Sequence, residues 1–375
     1  MAHGGIRPRV SLPSTFIIVF ALVVVWTTTH RVMRRANIRA LTGAQRAVLT
    51  IAAGVSAALL AWTVWSRPQP QPSDLAPVWA GARAFLHGGN PYDAVRPGNP
   101  YALGYPLLYP LTAVVTLAPL ALLPLRWVDP IFVGLGFALF TWAITAEKRV
   151  TPAIVALVSL PALMTLQTSQ WSLLLTGAAL APWLGVLLVA KPTIGLALFA
   201  AYPDWRAAAG CAVLLAASTI AAPGWIADWR AGFASAPHVV APILRPGGVL
   251  ILLAAVKWRR PEARLLVALG CVPHTTALYE TIPLFLIAES WLQAFALWTL
   301  ALGAYVMQRA MGPYASQAAY WASGAQWIVL LMYLPCVALV LRRPNAWPNT
   351  QRFSNWRIAK ASAERHRAGV ARALG

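Results

Sequence analysis

Acidic residues are scarce in this chain. Its 375 residues hold ten Asp and Glu against thirty Lys and Arg, a formal net charge of +20. Charged residues make up 11% of the sequence, far below the roughly 25% of soluble domains, and no large soluble domain fits between the apolar runs. Cysteine is equally sparse. Cys211, Cys271 and Cys336 lie inside apolar segments, with neither a disulfide framework nor metal-ligand spacing. There is no phosphate-cradling P-loop, GxGxxG, GxSxG or HExxH motif, so nucleotide binding on a cytoplasmic face has no support. Strict alternation of apolar and polar residues is also missing, which excludes a β-barrel.

What is present is apolar helix. Hydrophobic residues reach 59% and mean hydropathy is +0.63. Apolar runs of about twenty residues recur along the chain, the length needed to cross a bilayer. The expected fold is all-α: a polytopic integral membrane protein with about ten to twelve transmembrane helices. Arg and Lys gather at the ends of the runs, the positive-inside pattern. The basic balance therefore points to anionic lipid headgroups, not to nucleic acid. Many of the eighteen Trp also sit at run ends, as an interfacial belt requires.

Three regions follow. Residues 1–46 comprise an extra N-terminal apolar run, about 11–29, and a basic loop with Arg31, Arg34, Arg35, Arg39 and Arg46. That loop is expected to be cytoplasmic. Residues 47–341 form the transmembrane domain. Residues 342–375 are a basic cytoplasmic tail with eight Arg or Lys against one Glu. With the loop before residue 47 inside, the next span runs outward and Asp74 lies on the extracytoplasmic side of a cytoplasmic (inner) membrane.

Residues 73–87 have the spacing of an amphipathic helix on the membrane surface. Leu75, Val78, Trp79, Ala82, Phe85 and Leu86 share one face. Ser73 is placed to cap it, Asp74 to occupy its first turn and Gly88-Gly89 to end it. Four prolines in 106–124 suggest a broken or re-entrant segment. Lys191 falls within or near a membrane-embedded stretch, where a lysine is costly and marks a functional candidate.

This topology leaves four carboxylates outside: Asp74, Asp93, Asp228 and Glu280. The outer cations include Arg83, Arg245 and Lys191, while His274 after Pro273 reads as an interfacial side chain. A carboxylate near cations at an outer membrane face suits transfer of a group from a lipid-linked phosphate. The carboxylate acts as general base on an acceptor hydroxyl, and the cations stabilise the leaving phosphate. On this reading Asp74 is the catalytic candidate, and Arg83, Lys191 and Arg245 are donor-phosphate candidates. Asp93, Asp228, Tyr279 and Glu280 are secondary candidates. No cofactor is implied. No paired-carboxylate spacing demands a metal, although two outer carboxylates could share a divalent ion.

The order of motifs resembles glycosyltransferase family 87 of the GT-C superfamily. Asp74 with VWAGARAFLHGGNPYD is similar to that family's D…YY-A-A-x-x-L-x-G-x-NPY. YPLLYPLTAVVTLAPLALLP is similar to its YPPL…APLALLP. SQWSLLL, LGVLLVAKPTIGL and DWRAA match weaker elements, and PHTTALYETIP a late one. The resemblance covers about residues 45–290. It implies a GT-C-like fold and an inverting transfer of a sugar, mannose in that family, from polyprenyl phosphate to a glycan or glycolipid acceptor. It adds Gln170 to the donor-site candidates. The chain departs from the pattern at Ser169, Ser172 and Leu278. Its Gln170–Lys191 interval is also short by about two spans. That shortening favours an alternative, a non-catalytic GT-C-like subunit of a membrane complex. A transporter of lipid-linked sugars is a further alternative, for which internal repeats would be expected.

Overall fold

The computed structural model describes residues 41–66, 72–96, 106–146, 151–233 and 239–345. The expected N-terminal apolar run and nearly all of the basic tail lie outside them. The described residues are all-helical, joined by turns and one isolated bridge between Val240 and His274.

Helix α1 (Gly43–Trp65) starts with a capping box. The Thr42 hydroxyl accepts the Gln45 N–H at 3.1 Å and the Gln45 side chain accepts the Thr42 N–H at 3.0 Å. It lies antiparallel to α5 (Leu125–Ile144). At one end Arg46 donates to the Trp142 carbonyl at 2.7 Å, and at the other Trp62 and Trp127 meet at 4.3 Å. Between the ends the backbones approach closely, because a Cβ on Gly134 would lie 2.9 Å from the Gly54 carbonyl oxygen. Small residues at such crossings allow the close approach on which membrane helices depend.

Among the described residues, three helices are long and apolar enough to cross a membrane: α1, α5 and the continuous helical stretch Ala319–Leu341. A fourth is reached if the bent pair around residue 222 counts as one span. The expected ten to twelve crossings rest on apolar runs, and two of these runs, 150–168 and 171–202, are divided into shorter helices. Proline divides them, since it lacks an N–H and clashes with the preceding turn. The run at 150–168 becomes a 3₁₀ segment, Pro152–Val158, and then α6 (Leu160–Thr168), each with proline in its first turn. Likewise 171–202 becomes α7 (Ser172–Ala179), a 3₁₀ segment Pro182–Ala190, and α8 (Pro192–Ala201).

Helix α2 (Ala76–Leu86) ends as expected, with Gly88 in the left-handed region. It does not lie on the surface. Ala76, Val78, Ala80, Gly81 and Ala82 are all buried, so burial extends beyond the expected face, and α4 (Leu111–Ala121) approaches at Gly81, where a Cβ would lie 3.5 Å from the Val114 side chain. Its cap position is Leu75, so Ser73 does not cap it and Asp74 precedes it. The remaining described elements, α3 (Pro91–Ala94), α9 (Trp205–Ala221), α10 (Trp225–Phe233), α11 (Pro261–Cys271), α12 (Trp291–Ala310), α13 (Gln317–Ile328) and α14 (Leu334–Leu341), pack around this centre.

Candidate functional site

Two turns meet at the site. The segment before α2 is tied to the end of α6 by the Asp74 N–H, which donates to the Thr168 carbonyl at 3.1 Å. Helix α6 stops because Ser169 takes a left-handed conformation, φ 55. That reversal swings Gln170 back toward Asp74. The Gln170 Nε2 donates to Asp74 Oδ2, and its Oε1 accepts from Lys191 Nζ at 3.0 Å. One buried amide therefore touches both an acid and a cation.

Lys191 stands at the N-cap of α8, before Pro192. A proline biases its predecessor away from helical backbone, and Lys191 has φ −134 and ψ 85. A cation at a helix N-terminus opposes the helix dipole. Glu280 offsets this, with Oε1 at 3.4 Å from Lys191 Nζ. The aromatic rings of Tyr279 and Tyr109 face the ammonium at 5.2 and 5.8 Å.

Glu280 is only 2% exposed, so it does not face outward as its outer-loop placement implies. Its Oε2 lies 2.7 Å from His274 Nδ1 and accepts the Ala277 N–H at 3.1 Å. His274 is likewise buried and not interfacial. Its Nε2 lies 3.1 Å from the Leu269 carbonyl oxygen and 3.4 Å from the Tyr333 hydroxyl. A continuous line of contacts thus runs Asp74–Gln170–Lys191–Glu280–His274. Burial raises the Asp74 carboxyl above its ordinary range, opposed by the Lys191 charge and the Gln170 hydrogen bond.

Of the residues expected from sequence, Asp74, Gln170, Lys191, Tyr279 and Glu280 come together here. Arg83 does not join this line. It donates to the Ala121 carbonyl at 3.3 Å and stacks over Trp79. Arg245 sits in the turn between Pro242–Leu244 and the 3₁₀ segment Gly248–Lys257. Asp93 pairs with Arg96 at 2.9 Å, both exposed, and Asp228 accepts from Asn90 at 3.0 Å. These four lie outside the line, each engaged elsewhere or in a turn of its own.

Two buried groups were not expected. His274 followed Pro273 in a short, weakly periodic stretch and gave no signal of burial. Asp129 is a single acid in an apolar run, 1% exposed on α5, and its Oδ1 has no hydrogen-bond partner among the described residues. A cavity of about 190 Å³ opens behind the site, bounded by Thr168, Thr276 and Tyr279 on one side and by Tyr305, Arg309 and Trp321 on the other. Among the described residues, no group of three or more His, Cys, Asp or Glu is arranged to hold a metal ion.

Compared with protein-family models, curated proteins and solved structures, the chain gives no match. Its class rests on its own residues: an all-helical protein with helices fit to cross a membrane and a buried line of charged groups.

Proposed function

We propose that the chain is a GT-C-type membrane glycosyltransferase. It moves a sugar, mannose by the resemblance, from a polyprenyl-phosphate donor to an acceptor hydroxyl at the extracytoplasmic face. The observation that carries this reading is the single Gln170 amide bridging the Asp74 carboxylate and the Lys191 ammonium. Group transfer from a sugar phosphate needs a base and a cation held at a fixed separation. Asp74 takes the proton of the acceptor hydroxyl. The hydroxyl oxygen forms a bond to the anomeric carbon while the bond from that carbon to the phosphate oxygen breaks. The electron pair leaves on the phosphate, and Lys191 stabilises its charge. Attack opposite the leaving group inverts the anomeric centre.

One observation favours the second reading, a non-catalytic subunit. Lys191 is already neutralised by Glu280 at 3.4 Å, so a donor phosphate would have to compete for it. One experiment separates the two. The full chain in proteoliposomes, supplied with radiolabelled polyprenyl-phosphate sugar and glycan or glycolipid acceptors, should transfer label. Asp74→Asn should lower turnover by about 10²–10⁴-fold with expression intact. Lys191→Ala should raise KM for the donor more than for the acceptor. Unchanged turnover in Asp74→Asn removes Asp74 from the mechanism, and no transfer by the native chain gives the subunit reading precedence.

A further inference from the structure

Helix α8 carries Lys191 at its start, where the side chain meets Gln170 and Glu280. That end of the helix has no side-chain cap. The opposite end is held by Arg264 of α11. Its Nε donates to the Ala200 carbonyl at 2.8 Å and its Nη2 to the Ala201 carbonyl at 2.9 Å. These are among the last carbonyls of α8, which have no partner within the helix. The Nη1 of the same guanidinium donates to the Trp258 and Arg259 carbonyls at 3.1 and 3.0 Å, in the turn before α11. One planar fork therefore joins the end of α8 to the start of α11. The two helices pack together in opposite directions, so α11 leads back toward the site and the chain reaches His274 three residues past its end. There Glu280 meets His274 through Oε2 and Lys191 through Oε1. The two helices form a frame closed at both ends, by Arg264 at one and by the Glu280 carboxylate at the other.

We propose that Arg264 is a positioning residue that sets the axial height of α8 and so places Lys191 between Gln170 and Glu280. Helix α8 has ten residues. A helix of that length spans about 15 Å and moves as a unit, so a shift at its carbonyl end reappears at Lys191. The carboxylate that Lys191 faces is fixed separately. Arg343 donates to the carbonyl of Ile287, the last residue of the 3₁₀ segment Leu278–Ile287 that carries Glu280. Sliding of α8 therefore changes the separation of Lys191 and Glu280 instead of carrying Glu280 along. A cation near a helix C-terminus is favourable by charge alone, but charge alone does not fix a height. The guanidinium does, because its donors leave in fixed directions within one plane. This inference takes the phosphate role of Lys191 from the glycosyltransferase reading, but the placement itself does not depend on that reading.

The test has two arms. The first is a double-mutant cycle on unfolding of the full chain in mixed detergent micelles, combining Arg264→Gln with Lys191→Met. Side chains at opposite ends of a helix ordinarily act independently, and their effects on the unfolding constant then multiply to within about twofold. If Arg264 acts on Lys191, its loss costs less once the Lys191 charge is gone, and the combined effect should fall short of the product by about fivefold or more. Arg264→Lys keeps the charge and loses the fork. It should show the same shortfall, and it carries the cycle alone if Arg264→Gln does not fold. Arg46→Ala, which removes the arginine–carbonyl bond at the α1–α5 contact, is the control and should multiply with Lys191→Met. In the second arm, transfer kinetics of Arg264→Lys should show donor KM raised several-fold with acceptor KM near its native value, a split that a general loss of stability does not produce. Independent effects of Arg264 and Lys191 overturn the proposal whether or not the chain transfers sugar. Native behaviour of Arg264→Lys also overturns it, because charge rather than the fork would then matter. In a chain that transfers sugar, an unchanged donor KM overturns it too. Coupling in a chain that transfers nothing upholds the placement and counts against the enzyme reading alone.

Discussion

Removing the Lys191 charge should expose the energetics of the whole buried line. Lys191 Nζ lies 3.4 Å from Glu280 Oε1, with the two side chains only 12% and 2% exposed. At an effective dielectric near 20, two unit charges at that separation attract by about 5 kcal/mol. Part of this attraction is offset by the cost of removing both ions from water. Lys191→Met keeps the length of the side chain and deletes its charge. It leaves Glu280 with His274 and Ala277 as partners, while Asp74 keeps Gln170. The expected cost is about 3–5 kcal/mol, as for other buried pairs broken on one side. Glu280→Gln should cost a similar amount. The double variant should cost less than the sum by about 1–3 kcal/mol, because the second change removes the charge stranded by the first. Unfolding in mixed detergent micelles, followed by tryptophan fluorescence, measures all three. Arg96→Ala is the internal reference. Its pair with Asp93 is 53% and 56% exposed, and exposed pairs contribute at most about 1 kcal/mol. If Lys191→Met costs no more than Arg96→Ala, or if the Lys191 and Glu280 changes add without coupling, then the buried line is not an energetic unit.

Two further outcomes test other parts of the structure. Because burial raises the Asp74 carboxyl, and only its ionised form can accept a proton, transfer should fall as pH drops through a midpoint above the usual carboxylate value of about 3.9. A kcat/KM profile reads this, Lys191→Met should move the acid limb still higher, and a midpoint at or below the usual value would contradict the burial argument. On α5, Gly134→Leu should destabilise by about 1–3 kcal/mol or more through overpacking, since its Cβ would meet the Gly54 oxygen at 2.9 Å and the Ala58 Cβ at 3.0 Å. Gly43→Leu, which meets nothing within 4 Å, is the control, and equal losses in the two variants would refute the close crossing.

The membrane character was legible because hydropathy sums over many residues and survives errors at any one. Hydropathy alone does not fix the number of crossings, because an apolar run reads the same whether it is one helix or two. The thirty prolines marked the breaks, yet proline is also tolerated in the first turn of a helix, so its position alone did not decide between a kink and an end. The surface helix shows a related ambiguity. Leu75, Val78 and Ala82 fall on one face as periodicity requires. Off that face, Ala76, Ala80 and Gly81 are small residues that score as weakly apolar and are nonetheless buried, with Val114 of α4 3.5 Å from where a Gly81 Cβ would stand. Small residues at a close helix contact carry packing information that a hydropathy pattern does not register.

The interval from Gln170 to Lys191 puts the sequence argument to its hardest test. Read as a length, it is too short for the two additional spans that the family pattern suggests, and a shortened core would be expected to separate the two side chains or misplace them. In the structure it is a compact excursion: α7 leaves the site along α5, with Gly177 against Phe140, and the 3₁₀ segment Pro182–Ala190 returns. The excursion ends where it began, with Lys191 Nζ 3.0 Å from Gln170 Oε1. Closing a short loop costs little entropy compared with a long one, so the two termini of a shortened segment are more easily held together than those of two full spans. Shortening therefore does not by itself argue against a working site. The stronger argument against activity is electrostatic: Glu280 already occupies Lys191. A donor phosphate must then either displace that carboxylate or bind beside it, and donor KM in Glu280→Gln distinguishes these. Displacement predicts that KM falls when the competing charge is removed. Binding beside it predicts little change. A rise would mean that Glu280 holds Lys191 in place for the donor, not in competition with it.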